Sequence, residues 1–198
     1  MEKQTPLYGL VLAGGKSLRM GRDKGTLEYH GLPQREYLYQ LLQKHCRETY
    51  LSLRSDQMED MPEGIRTLAD RDEYRGPFNG LLTAHQTYPK VAWLVMACDL
   101  PLIDAKTLRL LIGARQTEET ATALATRKTR LPEPLAAIWE PSGLSEAMEY
   151  LKTAESSCPR KYLLNSETAL VFPEDDRVLA NANDPDTYTS ILSELSSS

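Results

Sequence analysis

The chain has 198 residues, 41% of them hydrophobic and 26% charged, enough to bury a core without disulfides or a structural metal. Its net charge of −5 argues against broad binding to nucleic acid or an acidic membrane, and no apolar run approaches the ~20 residues that span a bilayer. The three cysteines, Cys46, Cys98 and Cys158, form no C-x-x-C, and residues 1–6 are polar and short, so a soluble, cytoplasmic chain with one domain over 1–198 is expected.

The first apolar run, Leu7–Ala13, lacks polar alternation, as in a strand covered on both faces. It ends at Gly14-Gly15 and is followed by a basic loop through Lys24. From Pro33 a helical stripe follows, with Leu38, Leu41, Leu42 and His45 on one face. Tyr50–Leu53 and Ile65–Leu68 read as short strands, residues 70–80 as a loop, and Leu81 to about Tyr88 as a helix. Val91–Cys98 is apolar throughout and closes on Asp99 and Pro101. Asp104 then fits a helix N-cap, with Ile103 and Leu108 as a hydrophobic staple, and Gly113 ends that helix.

Ala121–Thr126 and Leu135–Trp139 suggest two more strands, and 143–154 and 160–165 two helices. The last helix has Asp184 as its cap, Pro185 in its first turn, and Tyr188, Ile191, Leu192 and Leu195 on one face. Strands alternating with helices from end to end predict a three-layer, Rossmann-like α/β fold with a mostly parallel central sheet.

Open parallel sheets bind ligands at the carboxyl ends of their strands. The first strand ends in 12-LAGGKSLRMGRDK-24. Its glycines let backbone N–H groups approach an anion, and Lys16, Arg19, Arg22 and Lys24 concentrate positive charge on an acidic chain. The stretch is neither G-x-x-x-x-G-K-[ST] nor G-x-G-x-x-G. A glycine pair alone would be only a tight strand-to-helix turn; the four cations argue for an anionic ligand.

Asp99, at the exit of an apolar strand, faces desolvation unless it caps a turn, is paired or holds a metal. Mg2+ commonly takes one or two carboxylates plus substrate phosphates, so a single aspartate is chemically sufficient. Asp70 ends another strand, and either a nucleotide contact or a backbone turn accounts for it. Residues 181–184 (NAND) fit simple helix capping, although asparagine oxygens also suit Mg2+. His30, His45 and His85 lack metal-ligand spacing, and no G-x-S-x-G or H-E-x-x-H occurs.

Together these stretches resemble a known family. LAGGKSLRMGRDK is similar to the L-A-G-G-x-S-x-R-M-G-x-D-K signature of the molybdenum cofactor guanylyltransferases. GPFNGL at 76–81, WLVMACDLPLI at 93–103, LPEPLAAIW at 131–139 and NANDPDTY at 181–188 resemble that family's later motifs, in the same order. The resemblance implies a nucleotidyltransferase fold, Mg2+ dependence, and transfer of GMP from GTP to molybdopterin or its molybdenum-loaded form with release of pyrophosphate.

Carried over by position, the resemblance has Leu12, Ala13, Gly14 and Gly15 lining the nucleotide, Lys24 binding it and Asp70 contacting it. Asp99 would hold the metal, Arg19 and Lys24 would neutralise transition-state charge, and Asn181 and Asn183 would lie near the acceptor's phosphate and the metal. The family also implies transient contacts with a molybdenum-insertion protein and with chaperones of target enzymes. The chain departs from the pattern at Ser52, where an asparagine is usual, at Phe78 and Asn79, and at Asp184. The rival readings are a cytidylyltransferase for the same cofactor, whose members typically carry L-A-A-G, another small-molecule nucleotidyltransferase, and a non-catalytic nucleotide-binding adaptor.

Overall fold

In the computed structural model, which describes residues 5–15 and 23–196, seven strands and six α-helices follow one another along the chain. The strands are β1 (Leu7–Leu12), β2 (Thr49–Leu53), β3 (Thr67–Ala69), β4 (Ala92–Ala97), β5 (Ala121–Ala125), β6 (Pro132–Trp139) and β7 (Thr168–Val171). The helices are α1 (Gln34–Gln43), α2 (Phe78–Thr87), α3 (Ala105–Gly113), α4 (Pro141–Leu151), α5 (Pro159–Leu164) and α6 (Pro185–Ser196).

The strands form one sheet in the order β3-β2-β1-β4-β6-β5-β7. β1 pairs in parallel with both β2 and β4, β2 with β3, and β5 with β7, while β6 runs antiparallel to its neighbours β4 and β5. From β1 the chain first builds outward through β2 and β3, then returns to place β4 on the other side. The strand order therefore reverses between β1 and β4, and their carboxyl ends flank a crevice at that switch point.

Successive residues of one strand serve opposite cores. Val11, Leu94 and Met96 pack with Leu38, Leu42, Leu108 and Leu111 from α1 and α3. Leu10, Trp93 and Val95 pack on the other face with Phe78, Leu81, Leu144 and Leu163 from α2, α4 and α5. All of these are essentially inaccessible, which is why the strands carry uninterrupted apolar runs. The expected three-layer architecture is observed. The Asp104 carboxylate accepts from the Thr107 N–H at 2.7 Å, so α3 starts at its expected cap.

Helix α6 joins neither main core. Ile191 and Ala182 close instead on Leu27 and Tyr29 in a third, small cluster. Tyr29 and Tyr188 meet edge to face at 5.0 Å, and the Tyr188 hydroxyl donates to the Glu28 carbonyl at 3.4 Å. The segment after the glycine turn is thereby tied to the chain's last helix.

Several elements differ from expectation. β5 and β6 are joined directly rather than through a helix, since the residues between them are too few for a parallel crossover. The Thr126 and Thr129 hydroxyls share a hydrogen bond of 2.7 Å, and Arg130 adopts φ 55°, closing that turn. β7 had no strong sequence signal. β3 is displaced toward Ala69, and α2 begins three residues before Leu81 because Pro77 can open a helix. His45 lies beyond the end of α1 instead of on its face.

Candidate functional site

The crevice at the switch point is built by four strand ends. β1 runs into Ala13, Gly14 and Gly15, β2 into Arg54, β3 into Asp70, and β4 into Cys98 and Asp99. They surround a hollow of about 560 Å3, floored by Leu12, Ala13 and Gly14 and reached by Lys24, Asp70 and Asp99. A second hollow, of about 640 Å3, adjoins it and is lined by Glu133, Arg160, Asn181 and Asn183. Asp99 lines both, together with Gly76, Pro77 and Leu135.

Glycine at position 14 is a packing requirement: a Cβ there would stand 2.7 Å from Asp70 Oδ2. Gly80, in the first turn of α2, is as constrained, because its Cβ would meet Ser52 Oγ at 2.2 Å and Leu12 Cδ2 at 2.9 Å. These close approaches bring α2 onto the ends of β1 and β2 and let Ser52 donate to Asp70 Oδ1 at 2.5 Å. Burial pushes the Asp70 carboxyl above the usual aspartate range, while the Ser52 hydroxyl bond opposes the shift. Ser52 is therefore occupied in orienting a carboxylate within the hollow.

The glycine turn is gripped from outside by two side chains that follow β2. Arg54 Nη1 donates to the Gly14 carbonyl at 2.9 Å and to the Gly15 carbonyl at 3.4 Å. Gln57 Nε2 donates to the Ala13 carbonyl at 3.3 Å and to Asp23 Oδ2 at 2.5 Å. The other Asp23 oxygen accepts from the Gly25 N–H at 2.8 Å, capping the short turn that carries Lys24. With its carbonyls held from behind, the turn keeps its backbone beside the hollow.

Lys24 reaches across the crevice. Its ammonium donates to Asn183 Oδ1 at 2.5 Å and lies 3.9 Å from Asp99 Oδ2. The Ala182 N–H donates to the Asp99 backbone carbonyl at 2.9 Å, which sets Asn181 and Asn183 on either side of that bond and beside the strand end. Burial raises the Asp99 carboxyl above its usual range, and the nearby Lys24 charge pulls it back down. In the second hollow Glu133 is likewise pushed up by burial and held down by Arg160, whose Nη2 donates to Glu133 Oε2 at 2.5 Å.

Among the described residues no cluster of three or more acidic, histidine or cysteine side chains could enclose a metal. One partly buried carboxylate with two asparagine amides nearby is an all-oxygen donor set, which suits Mg2+ bound jointly with substrate phosphates. The Lys24 ammonium, held by Asn183 and close to Asp99, shows that this spot attracts positive charge.

Of the residues singled out from sequence, Leu12, Ala13, Gly14, Gly15, Lys24, Asp70 and Asp99 gather at one hollow, and Asn181 and Asn183 at the adjoining one. Arg19, with Lys16 and Arg22, lies outside the described residues. Sequence reasoning passed over Asp23, Arg54, Gln57 and Glu133. Only Arg54 directly follows a strand; Gln57 lies in the short turn after it, Asp23 caps the turn that carries Lys24, and Glu133 is near the start of β6, so no shared sequence signal marked them.

A glycine turn and a carboxylate on opposite sides of a switch point, with a lysine between them, fit the Rossmann-like α/β fold of the nucleotidyltransferases. Comparisons with known proteins agree. The model of the MobA-like NTP transferase domain matches residues 9–169, and the chain belongs to that family. A molybdenum cofactor guanylyltransferase of Pseudomonas fluorescens is 31% identical over 96% of this chain and 97% of its own length. A molybdenum cofactor biosynthesis bifunctional protein of Synechocystis is 40% identical over 95% of this chain, which spans about half (54%) of that longer relative. The crystal structure of molybdopterin-guanine dinucleotide biosynthesis protein A from Archaeoglobus fulgidus superposes with a TM-score of 0.77 at 18% identity, covering 96% of this chain and all of that one. Among the described residues no helix is long and apolar enough to cross a membrane.

Proposed function

We propose that the chain transfers GMP from GTP to molybdopterin or its molybdenum-loaded form, making the guanine dinucleotide and releasing pyrophosphate. The observation that carries this reading is the position of Asp99, which lines two adjoining hollows and so can face two substrates at once. Relatives named as molybdenum cofactor guanylyltransferases support the choice of substrates.

The nucleotide would lie along Leu12, Ala13, Gly14 and Gly15, with Asp70 accepting a hydrogen bond from its nucleoside part. The triphosphate would point toward Lys24 and Asp99, and the acceptor would enter beside Asn181 and Asn183. An oxygen of the acceptor's terminal phosphate attacks the α-phosphorus of GTP, the bond from that phosphorus to the bridging oxygen breaks, and pyrophosphate leaves. The attacking phosphate is already anionic, so no protein nucleophile is required. The chain's task is alignment and charge stabilisation. Lys24, assisted by Arg19, meets negative charge on the triphosphate. Asp99, with the asparagine oxygens close by, would hold Mg2+, whose chemistry when bound is to neutralise charge developing on the leaving pyrophosphate.

The test is calorimetric titration of the protein with GTP, CTP, ATP and UTP in turn, with Mg2+ and then with EDTA. Selective binding of GTP that weakens in EDTA is expected, followed by turnover with molybdopterin. Preference for CTP would move the function to the cytidylyl rival, and absence of binding to every nucleotide would overturn the reading.

A further inference from the structure

Residues of the loop from Asp70 to Gly76 line the nucleotide hollow, and helix α2 holds that loop along its length. Thr83 Oγ1 accepts from the Arg71 N–H at 3.4 Å, and Gln86 Nε2 donates to Glu73 Oε2 at 2.9 Å. Asn79, in the first turn of α2, accepts from the Tyr74 N–H through Oδ1 at 3.2 Å. It differs from Thr83 and Gln86 in also lining the hollow, together with Asp70.

Only an oxygen can accept from a backbone N–H, so the Tyr74 bond fixes which way the Asn79 amide is turned. Its NH2 group faces Asp70 and, against the effect of burial, favours the charged carboxylate. An amide nitrogen carries two hydrogens; Asp70 uses one, and among the described residues no acceptor engages the other. Asn79 is 7% exposed, so that donor is held in a confined place. Beside it, Ser52 holds Asp70 Oδ1 at 2.5 Å, while Oδ2 looks onto Gly14, which has no side chain to cover it. A fixed donor and a fixed acceptor therefore stand side by side at the end of β3. In the sheet, β3 lies three strand spacings, about 14 Å, from β4, which ends at Asp99. That separation suits the base end of a nucleotide whose phosphates meet Lys24 and Asp99.

We propose that Asn79 is a specificity-determining residue that donates to O6 of guanine, while Asp70 accepts from the neighbouring N1–H and 2-amino group. The inference rests on the functional reading above. Guanine carries one acceptor next to two donors along a single edge, and an amide N–H beside a carboxylate is the complement of that edge. Cytosine and adenine each offer a single amino donor there and leave the carboxylate half engaged. In a confined site, polar groups left without partners make such a mismatch costly.

The test is calorimetry with GTP and with 2-aminopurine riboside triphosphate, which keeps the 2-amino group, ribose and phosphates but lacks O6. Wild type, Asn79→Ala and Asn79→Asp are compared with Mg2+ present, each checked for native circular dichroism. Asn79→Ala should bind GTP about tenfold more weakly, with the affinity for the analogue unchanged. The same selective loss is expected in Asn79→Asp, which keeps an oxygen for Tyr74 but removes the donor. A parallel loss for both ligands would place the contact on the ribose or in the loop and overturn the proposal, as would unchanged GTP binding. A wild-type protein that binds neither ligand, or prefers CTP, overturns the functional reading instead, so the two failures are distinguishable.

Discussion

Gly14 and Asp70 face each other at the floor of the crevice so closely that a methyl group on the glycine would lie 2.7 Å from the Asp70 carboxylate. The carboxylate has little room to retreat, because Ser52 holds its other oxygen at 2.5 Å. The same methyl group would lie 3.3 Å from the Arg54 backbone nitrogen. The ends of β1, β2 and β3 thus form one interlocked unit.

Gly14→Ala should therefore destabilise the fold by about 1–3 kcal/mol, as overpacking does in a tight site. It should also weaken nucleotide binding, because the displaced carboxylate lines the hollow. Urea denaturation checks the cause: in an Asp70→Ala background the same glycine substitution should cost markedly less. An equal cost in both backgrounds would show that the clash lies elsewhere.

Asp99→Asn keeps the size of the side chain and removes its charge. Turnover should fall by about 10²–10³-fold, the loss typical of one preorganised electrostatic contact. Circular dichroism should stay native, and nucleotide binding should lose its dependence on Mg2+. Parent-level turnover in the purified variant would remove Asp99 from the metal's coordination.

Away from the site, Arg115 and Glu140 form a forked pair, with Nε to Oε1 at 2.7 Å and Nη2 to Oε2 at 2.9 Å. Their side chains are 9% and 2% exposed, so the pair is almost dry. Arg115→Met should destabilise by about 3–5 kcal/mol because it strands the Glu140 charge. Adding Glu140→Gln should recover a good part of that loss. Two denaturation curves decide it, and no recovery would mean that the Arg115 bond to the Thr5 carbonyl dominates.

Legibility in the sequence followed burial. β1 and β4 are covered on both faces, so each appears as an uninterrupted apolar run, and the residues that close them, Gly14 and Asp99, stand out as the groups flanking the crevice. β7 is short and only Val171 in it is buried, which left no pattern to find. The reversed direction of β6 was also hidden, because an apolar strand reads the same either way; only the short connection from β5 carried that information. At the site, residue types with obvious chemistry were recognisable. Arg54 and Gln57 were not, since their role comes from hydrogen bonds to Gly14 and Ala13, 40 and 44 positions away. The Lys24–Asn183 bond is of the same kind, a product of α6 packing on Leu27 and Tyr29.

His85 supplies a pH dependence whose sign is fixed by its surroundings. It lies on α2 facing α4 and is 3% exposed; Nε2 shares a 3.1 Å hydrogen bond with Ser145 Oγ, while Nδ1 is buried without a partner. Burial lowers its pKa below the ordinary 6.5, because the protonated ring would be poorly solvated. Between the lowered native value and 6.5 the unfolded chain binds the extra proton, so stability must rise with pH across that window and fall on acidification. The contribution is fully present above 6.5 and is lost as pH drops, with a limiting slope of about 1.4 kcal/mol per pH unit. The raised Asp70 and Glu133 carboxyls act in the opposite sense, nearer the carboxylate range, where acidification favours the native state. Chemical denaturation from pH 7.5 to 5.5 should therefore show a decline in wild type that is flattened in His85→Gln. An undiminished slope in that variant would assign the decline to another group.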